Sequence, residues 1–150
     1  MIKKGDKIGE IILPDSEGNN FQLSSTIGKK VLLTFYRHAS CAICNLRINE
    51  FIKRYGEFGN NFTMVGIFHA PRDFLKNNMK KHKLPFTVLA DEKFEYFKKF
   101  NVEKSYLKLV FAFILKPHKF FLAGLKGYLP VQFKGYLTIV PVDVLIDENG

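Results

Sequence analysis

Runs of apolar residues, broken by short polar turns, predict the strands of a sheet. The segment "IILPDSEGNNFQLSS" has the pattern of two short strands around a turn, for which Pro14-Asp15 and Gly18-Asn19 supply the turn residues. The later segments "KKVLLTFYR", "FTMVGIFHA" and "LPFTVLAD" are almost continuously apolar. Such runs are typical of strands that are buried on both faces of a sheet.

A helical spacing of apolar residues begins at a pair of cysteines and predicts the first helix. The inner face of this helix carries the apolar residues Cys44, Ile48, Phe51, Ile52 and Tyr55. The opposite face is polar and carries Asn45, Arg47, Asn49, Glu50, Lys53 and Arg54. Gly56 and Gly59 are expected to end the helix.

Two further helices are predicted between and after the later strands. Pro71 is expected to open one of them, because proline suits the first turn of a helix. Asp91 is expected to cap the other with its carboxylate. Their inward residues are Phe74, Leu75 and Met79 in the first and Phe94, Phe97 and Phe100 in the second. Strands that alternate with helices predict an α/β sheet with parallel strands and crossover connections.

The last third of the chain has a weaker pattern. The segment "YLKLVFAFIL" is much shorter than the roughly 20 apolar residues that span a bilayer, so it predicts a buried or interface-facing helix and no transmembrane segment. The segment and the residues just after it contain Phe111, Phe113, Phe120 and Phe121, which are expected to form either a patch for a partner or membrane surface, or a group buried in the core or at a homodimer interface. "TIVPVDVLIDENG" predicts a final strand with a turn at Asp147–Gly150.

Length and composition indicate one globular domain over residues 1–150. The chain has 150 residues, of which 47% are hydrophobic, and this is enough for a sizeable core. Residues 104–138 form its least typical part, an apolar and basic insert. The amino end, "MIKKGDKIGE", has no apolar run behind its lysines, so we expect no secretory signal and a cytoplasmic location.

The formal net charge of +9 raises the question of an acidic partner. The lysines are spread over clusters such as Lys29-Lys30 and Lys80-Lys81-Lys83, and no nucleic-acid-binding motif accompanies them. A solvated basic surface is the simpler interpretation, so no nucleic acid is expected as a partner.

The candidate chemistry is concentrated in a C-x-x-C pair, Cys41 and Cys44, where the strand meets the first helix. The first turn of a helix has unpaired N–H groups and the positive end of the helix dipole, and both stabilise a thiolate. Arg37 and His38 lie just upstream and are expected to add positive potential, which lowers the pKa of one thiol. We expect Cys41 to be the more exposed, attacking thiol and Cys44 to resolve the intermediate.

The cysteine pair has two other interpretations. A zinc site needs three or four ligands, and without a second C-x-x-C the residues His38 and His69 would have to complete it. Alternatively, the thiols are inert core residues, which suits Cys44 better than Cys41, because Cys41 follows the polar "RHAS" loop. The redox dithiol is favoured, and no metal or other cofactor is expected.

A proline near the end of the chain offers a second clue to the site. Val140-Pro141 comes just before the apolar strand at Val142–Ile146. The pair is either an ordinary turn or contains a cis proline whose loop packs beside the dithiol and offers backbone groups to a substrate.

The order of these segments, from "FYRxxxCxxCN" through "FTMVGIFHA" and "LPFTVLAD" to "VPVDVLIDENG", resembles a known family. It is the alkyl hydroperoxide reductase/thiol-specific antioxidant family, a peroxiredoxin-like branch of the thioredoxin-like superfamily. The resemblance implies an α/β thioredoxin-like fold with a central mixed sheet flanked by helices, in which the usual final edge strand and helix are expected to be missing. It also implies that Cys41 and Cys44 are the redox dithiol and that Pro141 is the cis proline of such folds.

The sequence departs from the typical peroxiredoxin motif, P-x-x-x-T-x-x-C. With Cys44 at the last position, Arg37 stands in place of the proline and Cys41 in place of the threonine. The arginine that typical members carry ahead of the later strand is replaced at or near Pro141. A peroxide site needs donors that orient both oxygens, and Arg37 is the candidate substitute.

The expected activity is therefore the reduction of peroxides, or the reduction or exchange of disulfides, by Cys41 and Cys44. Arg37 is expected to stabilise the thiolate, and Val140 and Pro141 to contact the substrate. The expected partners are a peroxide, a protein disulfide or a small thiol as substrate and a thioredoxin- or glutathione-type reductant. One alternative makes Cys44 the peroxidatic cysteine and Cys41 its resolver, and another makes the chain a non-catalytic binding module.

Overall fold

A computed structural model of the chain describes residues 3–102, 125 and 139–150. The expectations for the insert at 104–138, including its helix and its four phenylalanines, lie outside the described residues except at Leu125. The single domain over residues 1–150 therefore stays a prediction. No helix in the described part is long and apolar enough to cross a membrane.

The described elements follow the order that the apolar pattern predicts. The strands are β1 (Ile12–Pro14), β2 (Asn20–Gln22), β3 (Lys30–Tyr36), β4 (Phe62–Phe68), β5 (Thr87–Ala90) and β6 (Val142–Ile146). The helices are α1 (Ala42–Arg54), α2 (Arg72–Met79) and α3 (Glu95–Lys99). A one-turn 3-10 helix, Tyr55–Phe58, follows α1 and contains Gly56, so only Gly59 ends this helical stretch, with a φ of +77° that favours glycine.

Four of the strands form one mixed sheet in the order β5-β4-β3-β6, and β1 and β2 pair separately as an antiparallel hairpin. β3, β4 and β5 are parallel, whereas β6 is antiparallel to β3, with Val142 opposite Phe35 and Ile146 opposite Val31. The alternation of strands and helices predicts a sheet of parallel strands only, and this prediction is wrong for β6. The direction of a strand depends on how the preceding chain returns to the sheet, and its own apolar pattern does not encode this.

Buried side chains form two clusters, one on each side of the sheet. Alternate residues of β3 divide between them, so that Phe35 packs with Phe97 and Phe100, and Tyr36 packs with Phe68. The cluster around Tyr36 also contains the inner residues of α1 and α2 and both cysteines. The candidate site is therefore part of the core that lies between the sheet and these two helices.

Asp91 caps the start of α3, as the sequence predicts. Its buried carboxylate accepts hydrogen bonds from the backbone N–H groups of Glu95 (2.9 Å), Tyr96 (2.9 Å) and Phe97 (3.2 Å). It reaches them across a tight turn in which Phe94 has a left-handed backbone, with φ +60°. One carboxylate therefore satisfies the N–H groups that a helix leaves unpaired at its amino end.

We expect Asp91→Ala to lower the free energy of unfolding by about 2–3 kcal/mol, because three backbone N–H groups, of which that of Phe97 is buried, lose a charged acceptor. Urea unfolding followed by circular dichroism measures the change. Asp73→Ala is the control: Asp73 is exposed in the first turn of α2 and forms an ion pair with its neighbour Arg72, so a change of less than about 0.5 kcal/mol is expected. Equal losses in the two variants would contradict the capping role of Asp91.

Candidate active site

The two cysteines lie where the chain leaves β3 and enters α1. Cys41 is the N-cap residue of α1, with an extended backbone (φ −67°, ψ 119°), and its N–H donates to the carbonyl of His38 (3.1 Å). Its Sγ accepts a hydrogen bond from the N–H of Cys44 (3.4 Å). The thiol of Cys41 thus occupies the position that serine or aspartate oxygens usually take at a helix start.

Both cysteines are free thiols and both are buried, with 7% of Cys41 and 4% of Cys44 exposed. Cys41 is therefore the more exposed of the two thiols, as the sequence predicts, but it too is buried. The reason is that its side chain packs in the core cluster with Tyr36 and Phe68 instead of extending into the polar loop. A reactant must accordingly enter a confined site.

The two thiols differ in acidity because one donates a hydrogen bond to the other. The side chain of Cys44 lowers the pKa of the Cys41 thiol from 9.0 to about 7, with a further contribution from the Cys44 N–H and an opposing one from burial. The same hydrogen bond, together with burial, raises the pKa of Cys44 well above its ordinary value. At neutral pH the arrangement therefore favours a thiolate at Cys41 and keeps the Cys44 thiol protonated.

Arg37 is the positively charged group that acts on the pair. Its positive charge lowers the pKa of both Cys41 and Cys44. Its backbone N–H also lowers the pKa of Cys44, through a hydrogen bond. The Nε atom of Arg37 is buried and makes no hydrogen bond to any described residue. A guanidinium with an unused buried donor next to a thiolate is suited to hold an electron-rich atom of a reactant.

His38 does not supply the positive potential that the sequence predicts. Its ring is buried, and this burial, together with the charge of Arg37, lowers the pKa of His38 to about 4. The imidazole is therefore neutral at pH 7. Its Nδ1 lies 3.1 Å from the hydroxyl of Ser40, which gives it a role inside the loop that leads to Cys41.

Asn45 and His82 are part of the site, although the sequence did not point to either. Asn45 is fully buried, so its assignment to the polar face of α1 is wrong. Its Nδ2 donates to the carbonyls of Ala39 (3.0 Å) and Cys41 (2.8 Å), and its Oδ1 lies 2.7 Å from Nε2 of His82. The available signal was its position four residues after Cys41, which places it under the loop and one turn along the helix.

Val140 and Pro141 lie at the same end of the sheet as the cysteines. Val142 pairs with Phe35, so the two residues before it lie beside the end of β3 from which the cysteine loop departs. A salt bridge between Arg47 of α1 and Asp143 of β6 connects the two elements. The Val140–Pro141 bond is trans, so the expected cis proline is wrong; trans is the ground state of an X–Pro bond, by about 0.5–1 kcal/mol.

The histidines of the zinc interpretation have other contacts. His38 lies against Ser40, whereas Nδ1 of His69 lies 3.1 Å from the carbonyl of Asp91 and its ring packs edge-on against Phe94. Within residues 3–102 and 139–150 no three His, Cys, Asp or Glu side chains are close enough together to hold a metal ion. The described residues therefore give no support to a zinc site, and the two cysteines are available to react with a substrate or with each other.

Comparison with known proteins places the chain among peroxiredoxin-like sequences. A model of the AhpC/TSA family matches residues 4–150. Peroxiredoxin Bcp of Escherichia coli is 32% identical over 114 residues, which cover 71% of this chain and 70% of that protein. A Mycobacterium tuberculosis protein, named provisionally as a peroxiredoxin, is 32% identical over 91 residues, or 60% of this chain and 58% of its own length. The chain thus matches less than two thirds of that relative.

Solved structures share the fold at lower identity. Peroxidoxin BcpB from Mycobacterium tuberculosis superposes with a TM-score of 0.59 and 23% identity, covering 71% of each chain. A Chlorobium tepidum structure, provisionally named as a thiol:disulfide interchange protein DsbE, has a TM-score of 0.64 and 19% identity, covering all of this chain and 82% of its own. Both confirm the thioredoxin-like fold that the sequence predicts, with its mixed sheet flanked by helices.

Proposed function

Because this chain belongs to the AhpC/TSA family, we propose that it is a thiol-dependent oxidoreductase in which Cys41 is the nucleophile and Cys44 resolves the product. The observation that carries this proposal is the hydrogen bond from the Cys44 side chain, at the amino end of α1, that lowers the pKa of Cys41 to about 7. A thiol with such a pKa is substantially ionised at neutral pH, whereas an ordinary thiol is not.

The substrate that suits the site best is a small peroxide, because only 7% of Cys41 is exposed. The Cys41 thiolate attacks the terminal peroxide oxygen: an S–O bond forms and the O–O bond breaks, while the hydroxyl proton of the peroxide passes to the leaving oxygen, which departs as an alcohol or water. The sulfenate takes up a proton from solvent, and the Cys44 thiol attacks the sulfenic sulfur, forms the S–S bond and releases water. One molecule of a thioredoxin-type dithiol, or two of a glutathione-type thiol, returns two electrons and restores both thiols.

Arg37 has the properties required to stabilise the leaving oxygen. Its buried Nε has no hydrogen-bond partner among the described residues, and its charge already favours the thiolate. Val140 and Pro141 are proposed to contact the substrate through their backbone, since the register of β6 leaves them at the site end of the sheet. Arg37→Gln tests the first role, because it should slow the peroxide reaction by a larger factor than the reaction with a small disulfide.

A second candidate function reverses the two cysteines. Cys44 occupies the last position of the P-x-x-x-T-x-x-C pattern, which favours it as the peroxidatic residue. Its raised pKa and its role as hydrogen-bond donor to Cys41 speak against it. A non-catalytic binding module is a third candidate, and it requires that the two thiols stay unmodified when the folded, reduced protein meets an alkylating agent at neutral pH.

We propose the cytoplasm as the location, because the proposed cycle needs a thiol reductant that restores the pair, and cytosolic reductants of this kind keep thiols reduced. Fractionation of cells that express the chain at its native level tests this, and recovery of the protein with an oxidised pair in an exported fraction would contradict it. We also propose that the protein forms a homodimer, as the sequence suggests. Measurement of the molecular mass of the protein in solution tests this.

The proposed function is tested by two rates measured side by side on the fully reduced protein. We expect hydrogen peroxide to consume the two thiols at least about 10²-fold faster than it oxidises free cysteine at the same pH, since Arg37 and the helix start stabilise the transition state. A small aromatic disulfide is the comparison reactant. If the protein exchanges the disulfide fast but reacts slowly with peroxide, its activity is that of a disulfide reductase and not of a peroxidase. If both reactions are slow, the proposal is overturned.

A further inference from the structure

The side chain of Asn45 connects two parts of the molecule that are far apart in sequence. Its amide lies under the loop that carries Cys41, and it is fully buried. Its Nδ2 group uses both hydrogens, on the carbonyls of Ala39 and Cys41. Its Oδ1 meets His82, which follows α2 and is 37 positions further along the chain.

We propose that Asn45 is a positioning residue that holds Cys41 in its thiolate-stabilising geometry, and that His82 fixes the orientation of the Asn45 amide. The inference rests on the proposed function only in taking Cys41 as the nucleophile.

The hydrogen-bond partners fix the orientation of the Asn45 amide and the donor role of His82 Nε2. Two carbonyl oxygens face one end of the Asn45 side chain, so this end must be the NH2 group. The other end is then an acceptor, and Nε2 of His82 must donate to it. This arrangement holds whether the imidazole is neutral or protonated. His82 therefore acts as a fixed donor, and its burial, which lowers its pKa, keeps it neutral.

The carbonyl of Cys41 is held from two directions, and this fixes the thiol. It accepts from Nδ2 of Asn45 at 2.8 Å and from the backbone N–H of Asn45 at 2.9 Å. The peptide plane after Cys41 is thereby fixed, and so is the extended backbone that places its Sγ 3.4 Å from the N–H of Cys44. The second Nδ2 hydrogen bond, to Ala39, fixes the preceding turn of the loop. Loss of the amide would free the Ala39 carbonyl and leave the Cys41 carbonyl only the backbone N–H of Asn45, so that the loop could shift and move the thiol away from the helix start.

The experiment compares Asn45→Ala with Ile48→Ala, since both residues are fully buried on α1 and the apolar side chain of Ile48 cannot make the hydrogen bonds by which Asn45 holds the loop. The readout is the apparent pKa of the fast-reacting thiol, followed by the ultraviolet absorbance of the thiolate, in the folded state of each reduced variant. We expect the pKa in Asn45→Ala to rise by about one unit, which makes alkylation at pH 6 about tenfold slower. Ile48→Ala should leave it unchanged, although it also destabilises the fold.

A second pair of variants decides the question if Asn45→Ala does not fold. His82→Gln keeps a side-chain N–H that can donate to Oδ1, and His82→Leu removes it. We expect the wild-type pKa in His82→Gln and a rise in His82→Leu. The wild-type pKa in both Asn45→Ala and His82→Leu would overturn the proposal and leave the pair a purely structural role, as would equal rises in His82→Gln and His82→Leu.

The outcome is separable from that of the proposed function, because thiolate absorbance requires no substrate. If the wild type reacts slowly with both peroxide and disulfide but Asn45→Ala shows the expected pKa shift, the proposed enzymatic function is refuted and the positioning role of Asn45 is supported. If the wild type reacts fast with peroxide but Asn45→Ala shows no pKa shift, the enzymatic function is supported and the positioning role is refuted.

Discussion

Replacing Cys41 with serine is expected to slow the reaction of the reduced protein with hydrogen peroxide by roughly 10³-fold or more. A serine hydroxyl at this N-cap accepts the same hydrogen bond from the N–H of Cys44, so the start of α1 is preserved. What is lost is the thiolate, since the conditions that lower the pKa of Cys41 to about 7 cannot ionise an alcohol. Cys44→Ser is expected to retain the first step, because its hydroxyl can still donate to the Cys41 sulfur.

The measurement is a single turnover followed by intact-protein mass spectrometry. Cys44→Ser should gain one oxygen atom and stop at the sulfenic acid, which a dimedone-type reagent then traps. Cys41→Ser should stay unmodified over the same time. The reverse pattern, with oxidation at Cys44 in the Cys41→Ser variant at the wild-type rate, would establish Cys44 as the peroxidatic residue and refute the assignment made here.

The strands and helices could be predicted well from the sequence where each element is defined by its own residues. The apolar run of β3, the helical face of α1 and the cap at Asp91 all lie within about ten positions of the signal that predicts them. The direction of β6 could not be predicted in this way, because it is set by pairing with β3, more than a hundred positions earlier in the chain. Local periodicity carries no information on such pairing.

The candidate residues of the proposed site could be named from the sequence, whereas their environment could not. The C-x-x-C spacing and the strand-to-helix junction are local features, and they point to Cys41, Cys44 and Arg37 as candidates. The neutral state of His38 depends on burial, which arises only when the loop packs into the core. The role of Asn45 depends on His82, a residue brought beside it by the path of α2. A buried polar residue that hydrogen-bonds to an active-site loop, such as Asn45, cannot be distinguished in the sequence from a solvent-exposed polar residue of the same helix.

The pH dependence of Cys41 reactivity is the second large effect we expect. With a pKa of about 7, alkylation of the reduced protein should reach half of its maximal rate near pH 7 and fall about a hundredfold by pH 5, in proportion to the thiolate. The sign follows from the cause: the Cys44 hydrogen bond favours the ionised form, so the thiolate persists to lower pH than in a free thiol, whose value is near 9. The rate constants are measured by mass spectrometry on the peptide that contains Cys41.

Two variants at Cys44 separate the side-chain hydrogen bond from the helix start as the cause of this acidity. Cys44→Ser keeps a donor and the backbone N–H, whereas Cys44→Ala keeps only the N–H. The half-maximal pH should therefore stay near 7 in the serine variant and move towards 9 in the alanine variant. Equal values near 7 would instead assign the acidity to the helix amino end and Arg37. Values near 9 in the wild type would mean that Cys41 is not activated, and the reaction proposed for this chain would lose its nucleophile.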